Sequence, residues 1–279
     1  MADKIEKYLI DPSDEMLAEV VGEWVVKEKH PRLVKYIGAS SAARKGFSDP
    51  GRASFVDLFC GPGRVTIKGS NKFYDGGIVA ACRQARGSGA PFNVVHIGDK
   101  NSDLVDICTQ RLRNLGENVI PHYGPAEKTV VEVASALDCY GLHLAYLDPY
   151  NLETLPYSVI ELLSGLKRMD MLVHVSTQDL QRNLGRYITA ETSPLDSFAP
   201  NWREAVTNMS MPNDAMRAEI IQHWLGLLRR LDMTPSEAFA LVTGSKGQRL
   251  YWLMFVSRHP LPDKLWNSVR NLNKQGELF

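Results

Sequence analysis

The residues with the clearest potential for chemistry lie in Phe55-Val-Asp-Leu-Phe-Cys-Gly-Pro-Gly-Arg64. An apolar run ends in Asp57, and the turn Gly61-Pro62-Gly63 follows shortly afterwards. This order is typical of a buried strand that ends in a tight turn, where glycines let the backbone approach a ligand because they have no Cβ atom. By itself the turn is weak evidence, since the same residues also form strand–loop turns that bind nothing.

A second acidic residue, Asp99, follows the next predicted strand in Ile97-Gly-Asp-Lys-Asn101. A carboxylate at a strand end can accept hydrogen bonds from both hydroxyls of a ribose. The alternative is that Asp99 or Asn101 caps the helix predicted to start near Ser102. A glycine turn followed by an acid after the next strand is the two-part pattern of nucleoside-binding folds, so each signal strengthens the other.

A third acidic strand end is Leu147-Asp148-Pro149-Tyr150-Asn151. Ligands of doubly wound sheets bind at the carboxyl ends of the strands, so Asp148 is predicted to lie in the active site. The alternative is an ordinary turn after the strand, because Asp-Pro often starts a turn.

The elements that must position these residues alternate between apolar strands and helices. Strands are predicted at 54–59, 93–98, 118–122, 142–147, 171–175, 237–243 and 250–256, and helices at 76–85, 102–115, 128–137, 158–167 and 215–231. Continuous apolar strands between helices predict a parallel sheet covered on both faces. The short link Gly244-Ser-Lys-Gly-Gln-Arg249 predicts a hairpin, so the last strand should be antiparallel. The predicted fold is therefore α/β, with a doubly wound, mostly parallel, seven-stranded sheet.

The length of 279 residues favours a single domain spanning 1–279. A helical extension is predicted at about 1–50, with helix over 14–38, and residues 66–76 are predicted to be a loop after the glycine turn. Residues 177–215 interrupt the alternation and are predicted to be an insertion, of the kind that often forms lids or recognition elements.

Composition excludes several classes of function. Lys plus Arg equals Asp plus Glu at 32 each, which argues against a strongly basic nucleic-acid protein. No apolar run approaches the roughly 20 residues that span a bilayer, and the charged N-terminus lacks a signal-peptide core. The four cysteines have no metal-ligand spacing and are predicted to be reduced, mostly buried thiols of a cytoplasmic protein, with no metal site.

These strand ends together resemble those of S-adenosylmethionine (AdoMet)-dependent methyltransferases with a Rossmann-like fold. The Asp148-Pro149-Tyr150 segment is similar to the D-P-P-Y signature of enzymes that methylate the exocyclic amine of a base, although one proline is missing. The resemblance implies a catalytic set of Asp148, Pro149 and Tyr150. It also implies AdoMet as cofactor and a cofactor-binding set of Asp57, Phe59, Gly61, Gly63, Asp99, Lys100 and Ala126.

Within this group the chain resembles the three-Cys-motif partner proteins (TcmP). The resemblance is carried by Trp24, Lys29-His30, the 57–64 segment, Gly76-Gly77, 147–150, the final strand 251–257 and the C-terminal Gln275-Gly-Glu-Leu-Phe279. It implies a partner with a three-cysteine motif that looks like a radical-AdoMet iron–sulfur protein.

Three functions follow as hypotheses. The first is an AdoMet-dependent methyltransferase acting on a nucleobase or nucleotide amine, with nucleic acid or a nucleotide as substrate. The second is a non-catalytic accessory subunit of the three-cysteine partner. The third is an NAD-type oxidoreductase, which the proline between the two glycines, the missing third glycine and the final hairpin disfavour.

Overall fold

The computed structural model describes residues 7–236, 239–244, 247 and 249–271. Their strands are β1 (Tyr8–Asp11), β2 (Met16–Val21), β3 (Ala53–Asp57), β4 (Arg64–Ile67), β5 (Phe73–Asp75), β6 (Val94–Asp99), β7 (Val119–Tyr123), β8 (Leu142–Leu147), β9 (Met169–Val175), β10 (Thr234–Pro235), β11 (Ala240–Thr243) and β12 (Arg249–Ser257). The C-terminal segment 275–279 and parts of the predicted hairpin link lie outside the described residues.

The described helices alternate with the central strands as predicted. They are α1 (His30–Ala39), α2 (Ser41–Lys45), α3 (Gly77–Gly87), α4 (Ser102–Asn114), α5 (Ala126–Ala136), α6 (Tyr157–Ser164), α7 (Thr177–Thr189), α8 (Pro194–Phe198), α9 (Trp202–Ala205), α10 (Asn213–Arg230) and α11 (Pro260–Val269). A π-helical segment, Val25–Lys29, leads directly into α1, and a short 3₁₀ turn, Leu152–Thr154, precedes α6. Within the described residues, no helix is long and apolar enough to cross a membrane.

The central sheet has the strand order β7-β6-β3-β8-β9-β12, and both β10 and β11 pair with the outer edge of β12. The pairs from β7 to β9 are parallel, whereas β12 runs antiparallel to β9 and β11. This confirms the doubly wound, mostly parallel sheet with an antiparallel final strand. Among the described residues this sheet has eight strands rather than seven, because β10 and β11 share the edge position along β12.

Burial explains why the central strands were recognisable. Every residue of β3 and of β9 is buried, so these strands carry apolar side chains on both faces. One hydrophobic cluster packs α5, α6, α7 and α10 on one face of the sheet. A second packs α1, α3, α4 and α11 on the other face.

The predicted helix over 14–38 is wrong for its first part. Residues Met16–Val21 form β2, which pairs antiparallel with β1 and parallel with β4. Helix begins only after Trp24. The apolar spacing of this segment resembled a helix, but tertiary pairing with a strand distant in sequence decided its conformation.

The predicted loop over 66–76 is wrong in part for the same reason. Strands β4 and β5 form an antiparallel pair, and together with β1 and β2 they make a second, four-stranded sheet. Arg64 of β4 links strands of this small sheet, because its guanidinium contacts Asp11 of β1 and Asp75 of β5 at 2.8 Å each. The glycine turn is therefore followed by a strand of this small sheet before α3 begins.

Residues 177–215 are mostly helical, comprising α7, α8, α9 and the start of α10. Phe198 and Trp202 are fully buried and join the core beside α10. The single-domain organisation and the assignment of this segment as an insertion stay predictions.

One buried carboxylate gives a prediction about stability. Burial raises the pKa of Asp170 to about 6, although hydrogen bonds from Ser257 and Tyr36 oppose the rise. Because this pKa lies above that of an unfolded aspartate, about 3.9, the folded state is favoured most below pH 4 and loses stability as pH rises to 6. Linkage makes the loss about 3 kcal/mol.

Asp170→Asn should therefore abolish this pH dependence in denaturant-unfolding curves recorded from pH 4 to 7. Ser257→Ala, which removes a donor to the charged carboxylate, should enlarge it. Identical pH profiles for wild type and Asp170→Asn would contradict the assignment.

Candidate functional site

A cavity of about 1040 Å³ opens at the carboxyl ends of the parallel strands. Its walls come from the glycine turn, the ends of β6, β8 and β9, the start of α7 and the β1–β2 hairpin. All ten residues predicted as site residues line it: Asp57, Phe59, Gly61, Gly63, Asp99, Lys100, Ala126, Asp148, Pro149 and Tyr150. The structure thus brings the predicted residues together, while their roles stay proposals.

The two positions Gly61 and Gly63 require glycine for different physical reasons. Both have positive φ, +52° at Gly61 and +75° at Gly63, a conformation that side chains other than glycine rarely adopt. A Cβ on Gly63 would lie 3.1 Å from Cys108 and Val79, so Gly63 is required for packing against α3 and α4. A Cβ on Gly61 would meet only Glu19, 3.7 Å away, so Gly61 is the glycine that keeps the turn open to the cavity.

Asp57 lies almost fully buried at the end of β3. Its Oδ1 accepts a hydrogen bond from the backbone N–H of Phe59 at 2.9 Å, which shapes the start of the turn. Burial raises the pKa of Asp57 well above the usual range, and the nearby charges of Asp148 and Asp99 act in the same direction. The floor of the cavity therefore resists further negative charge.

Asp99 connects the glycine turn to the start of α4. Its two carboxylate oxygens accept bonds from the backbone N–H groups of Gly61 at 3.3 Å and Asn101 at 2.9 Å. The alternative helix-capping role belongs to Asn101, whose side chain accepts from Asp103 N–H at 3.0 Å. A carboxylate has about four acceptor positions, so Asp99 keeps capacity for a ligand in the cavity.

Asp148 is held by three side chains. Its Oδ1 accepts from the Lys29 ammonium in a short contact and lies 2.7 Å from Nδ1 of His174, while Oδ2 accepts from the Tyr146 hydroxyl at 3.2 Å. Burial by itself would raise the pKa of Asp148, but the Lys29 charge and the His174 hydrogen bond outweigh it and hold this pKa well below its usual range. Asp148 is therefore an ionised carboxylate, and Oδ2 is its less occupied oxygen.

The environment of His174 disfavours the protonated form of its ring. Burial lowers the pKa of His174, as does the Lys29 charge, while Asp148 opposes the change. The ring is packed against Tyr251, with centroids 3.9 Å apart, and the Lys29 ammonium lies 5.8 and 5.4 Å from the ring centroids of Trp24 and Tyr251. These contacts hold Lys29 and His174 in place beside Asp148.

Tyr150 is placed differently from Asp148. Its side chain is 83% exposed at the cavity rim, with the Lys7 ammonium 5.8 Å from its ring centroid. Pro149, between them, is buried and directs the chain from the strand end to the rim. An exposed ring beside a cation can stack on a planar group of a bound molecule.

Sequence reasoning missed several cavity residues. His174 is the next-to-last residue of a strand whose carboxyl end was predicted correctly, so the strand-end rule could have found it. Lys29 was named only among the residues that carry the family resemblance. It is separated from Asp148 by 119 residues in sequence, so no local pattern indicated their contact. Glu19 was assigned to a helix, although the turn residues Asp11-Pro-Ser-Asp14 could have indicated the β1–β2 hairpin.

No protein-family model matches the chain, and no curated protein matches it in sequence. The chain is similar in structure to an O-methyltransferase from Bacillus cereus in complex with S-adenosylhomocysteine (SAH), with TM-score 0.45, 12% identity and 81% of each chain covered. It is also similar to TYW2 from Pyrococcus horikoshii in complex with MeSAdo, with TM-score 0.42, 8% identity, and 91% of this chain and 73% of that one covered. Because both scores are below 0.5, the assignment of the Rossmann-like methyltransferase fold rests on the strand order, antiparallel β12 included.

Proposed function

We propose that the chain is an AdoMet-dependent methyltransferase whose cofactor lies along the strand ends from the glycine turn to the start of α5. The observation that carries the proposal is Asp99, a half-buried carboxylate at the end of β6 that the backbone of Gly61 and Asn101 fixes in the cavity wall. Such a carboxylate can bind both ribose hydroxyls of a nucleoside.

The other residues fit the same ligand. Gly61 leaves room beside Asp99 for the amino-acid half, and Ala126 begins α5 where the adenine would lie. The carboxylate of Asp99 in the cavity wall favours a cationic ligand and disfavours a dinucleotide with a negatively charged pyrophosphate. AdoMet supplies a methyl group on a positively charged sulfur, and the residues of this chain bind and orient the reacting groups.

We propose an amine of a nucleobase or nucleotide as the methyl acceptor. Asp148 Oδ2, with its single donor Tyr146, has capacity to accept an amine N–H, while Lys29 and His174 keep the carboxylate ionised and fixed. Tyr150 supports this acceptor, because its exposed ring at the cavity rim can stack on a base.

Tyr150→Ala should therefore raise the KM for the nucleotide acceptor about tenfold or more, because stacking on one base contributes roughly 1–3 kcal/mol. AdoMet affinity should stay unchanged. Transfer of radiolabelled methyl groups to nucleotides and RNA measures the KM, and calorimetry measures the AdoMet affinity. Tyr140→Ala is the matched control, since Tyr140 is 66% exposed and lies outside the cavity. Equal KM values for Tyr150→Ala and the control would contradict the stacking role.

We propose as a second candidate an accessory role beside a three-cysteine, radical-AdoMet-like partner, which the resemblance to the TcmP group implies. The full occupancy of Asp148 Oδ1 by Lys29 and His174 favours it, since a carboxylate used for structure is less available to an acceptor. Reconstitution with the three-cysteine protein separates the proposals. If the wild-type protein transfers no methyl group and Asp148→Asn leaves the activity of the partner unchanged, the accessory role is supported. If the wild-type protein transfers methyl groups and Asp148→Asn abolishes the transfer, catalysis is supported.

Calorimetric titration with AdoMet, SAH and NADH tests the main proposal. We expect AdoMet and SAH to bind at one site per chain, and NADH to bind far more weakly or not at all. Failure of folded protein to bind either AdoMet or SAH would contradict the proposed function.

A further inference from the structure

Glu19 occupies a position that the proposed roles leave unused. It lies on β2 and lines the cavity directly above the glycine turn, with Oε2 3.7 Å from where a Cβ on Gly61 would lie. Among the described residues, no hydrogen bond or ion pair within 4.0 Å joins its carboxylate to another side chain. A carboxylate inside a cavity without a cation in contact has unused capacity to bind one.

The surroundings of Glu19 strengthen this view. Burial raises the pKa of Glu19, and the charges of Asp148 and Asp99 add to the effect, while Lys7 and Lys29 oppose it. Lys29 is already paired with Asp148, and Lys7 lies near the rings of Tyr8 and Tyr150. A cationic ligand group at Glu19 would relieve an unfavourable charge that the folded protein now holds.

The location of Glu19 is fixed relative to the glycine turn. Arg111 of α4 donates from one nitrogen to the carbonyls of Leu17 and Pro62, at 2.6 Å each. Its other nitrogens contact Asp14 at 2.7 and 2.8 Å. One guanidinium thus ties the β1–β2 hairpin to the turn, only two residues from Glu19.

We infer that Glu19 binds the α-ammonium group of the cofactor, so that the β1–β2 hairpin completes the cofactor site. The inference rests on the proposed function, in which the amino-acid half lies beside Gly61. Asp57 is less suited to this contact, because its side chain is buried and bonded to Phe59 N–H. Glu19 lines the open cavity beside Gly61.

Two ligands that differ only in the amino-acid half test the inference. SAH carries the ammonium group, and 5′-methylthioadenosine keeps the adenosine and sulfur but lacks it. Glu19→Gln should raise the Kd for SAH about tenfold, as expected for loss of a charge-assisted hydrogen bond. The Kd for 5′-methylthioadenosine should not change. The matched control is Glu23→Gln, which removes a carboxylate of a surface pair with Lys27, outside the cavity.

The outcomes separate the two proposals. If wild type binds both ligands and Glu19→Gln leaves SAH binding unchanged, or weakens both ligands equally, Glu19 has no role at the ammonium group. If folded wild type binds neither ligand, the proposed function fails, and the inference with it. The substitution is isosteric, and thermal unfolding of the variant verifies that it folds.

Discussion

Lys29→Met is expected to lower the free energy of unfolding by about 3 kcal/mol at neutral pH, because it leaves a buried carboxylate without its cation. The two side chains are 7% and 19% exposed, so water can replace the lost ammonium only in part. A loss of this size is a large fraction of the roughly 5–15 kcal/mol that stabilises an ordinary domain. Urea unfolding followed by tryptophan fluorescence measures it.

The pH dependence of this loss gives a second readout. In wild type, burial acts to raise the pKa of Asp148, and Lys29 and His174 reverse the effect. Without Lys29, burial dominates, so the folded variant binds a proton more tightly than the unfolded chain does. The variant should therefore lose stability as pH rises above about 4, the usual pKa of aspartate. The penalty relative to wild type should shrink as pH is lowered towards that value.

Two further variants distinguish a lost ion pair from general damage. Lys27→Met, which removes an exposed pair with Glu23, should cause no measurable change. The double variant Lys29→Met/Asp148→Asn should regain much of the stability, because no unpaired charge stays buried. A double variant as unstable as Lys29→Met would show that the pair is not the cause.

Asp99→Ala is expected to weaken binding of AdoMet and SAH about 100-fold. Two hydrogen bonds from ribose hydroxyls to a carboxylate, at roughly 1.5–3 kcal/mol each, account for at least this factor, since about 1.4 kcal/mol changes affinity tenfold. Calorimetry measures both affinities. Asp99→Asn, which keeps an oxygen for the Asn101 N–H bond, should show a smaller loss.

The matched control for Asp99 is Asp103→Ala, an exposed acid in the first turn of α4. It should bind both ligands with wild-type affinity. Unchanged affinity in Asp99→Ala would contradict the proposed role of Asp99, on which the proposed function chiefly rests.

The fold could be predicted where local sequence determines burial. Strands β3, β6, β8 and β9 are apolar runs because helices cover both faces of the sheet, and each ends in a polar residue or turn that sequence alone reveals. The β1–β2 hairpin could not be predicted in this way. Its strand β2 pairs with β4, which lies more than 40 residues further along the chain, and short, partly exposed strands carry little periodicity.

The site residues likewise divide into features that the sequence could predict and contacts that it could not. Asp57, Asp99 and Asp148 were identifiable because the strand-end rule applies to each of them in turn. What Asp148 contacts was not identifiable, since Lys29 belongs to a π-helical segment that lies 119 residues earlier in the chain. Gly63 was expected to let the backbone approach a ligand. The structure shows that glycine is needed there for packing, because Cys108 and Val79 leave no space for a side chain.

A crystal structure of the protein grown with SAH tests the central claim most directly. We predict density for one SAH molecule in the cavity, with its ribose hydroxyls within hydrogen-bond distance of Asp99 and its adenine beside Ala126. Density for SAH elsewhere on the protein, or a cavity without it at saturating concentration, would contradict the account.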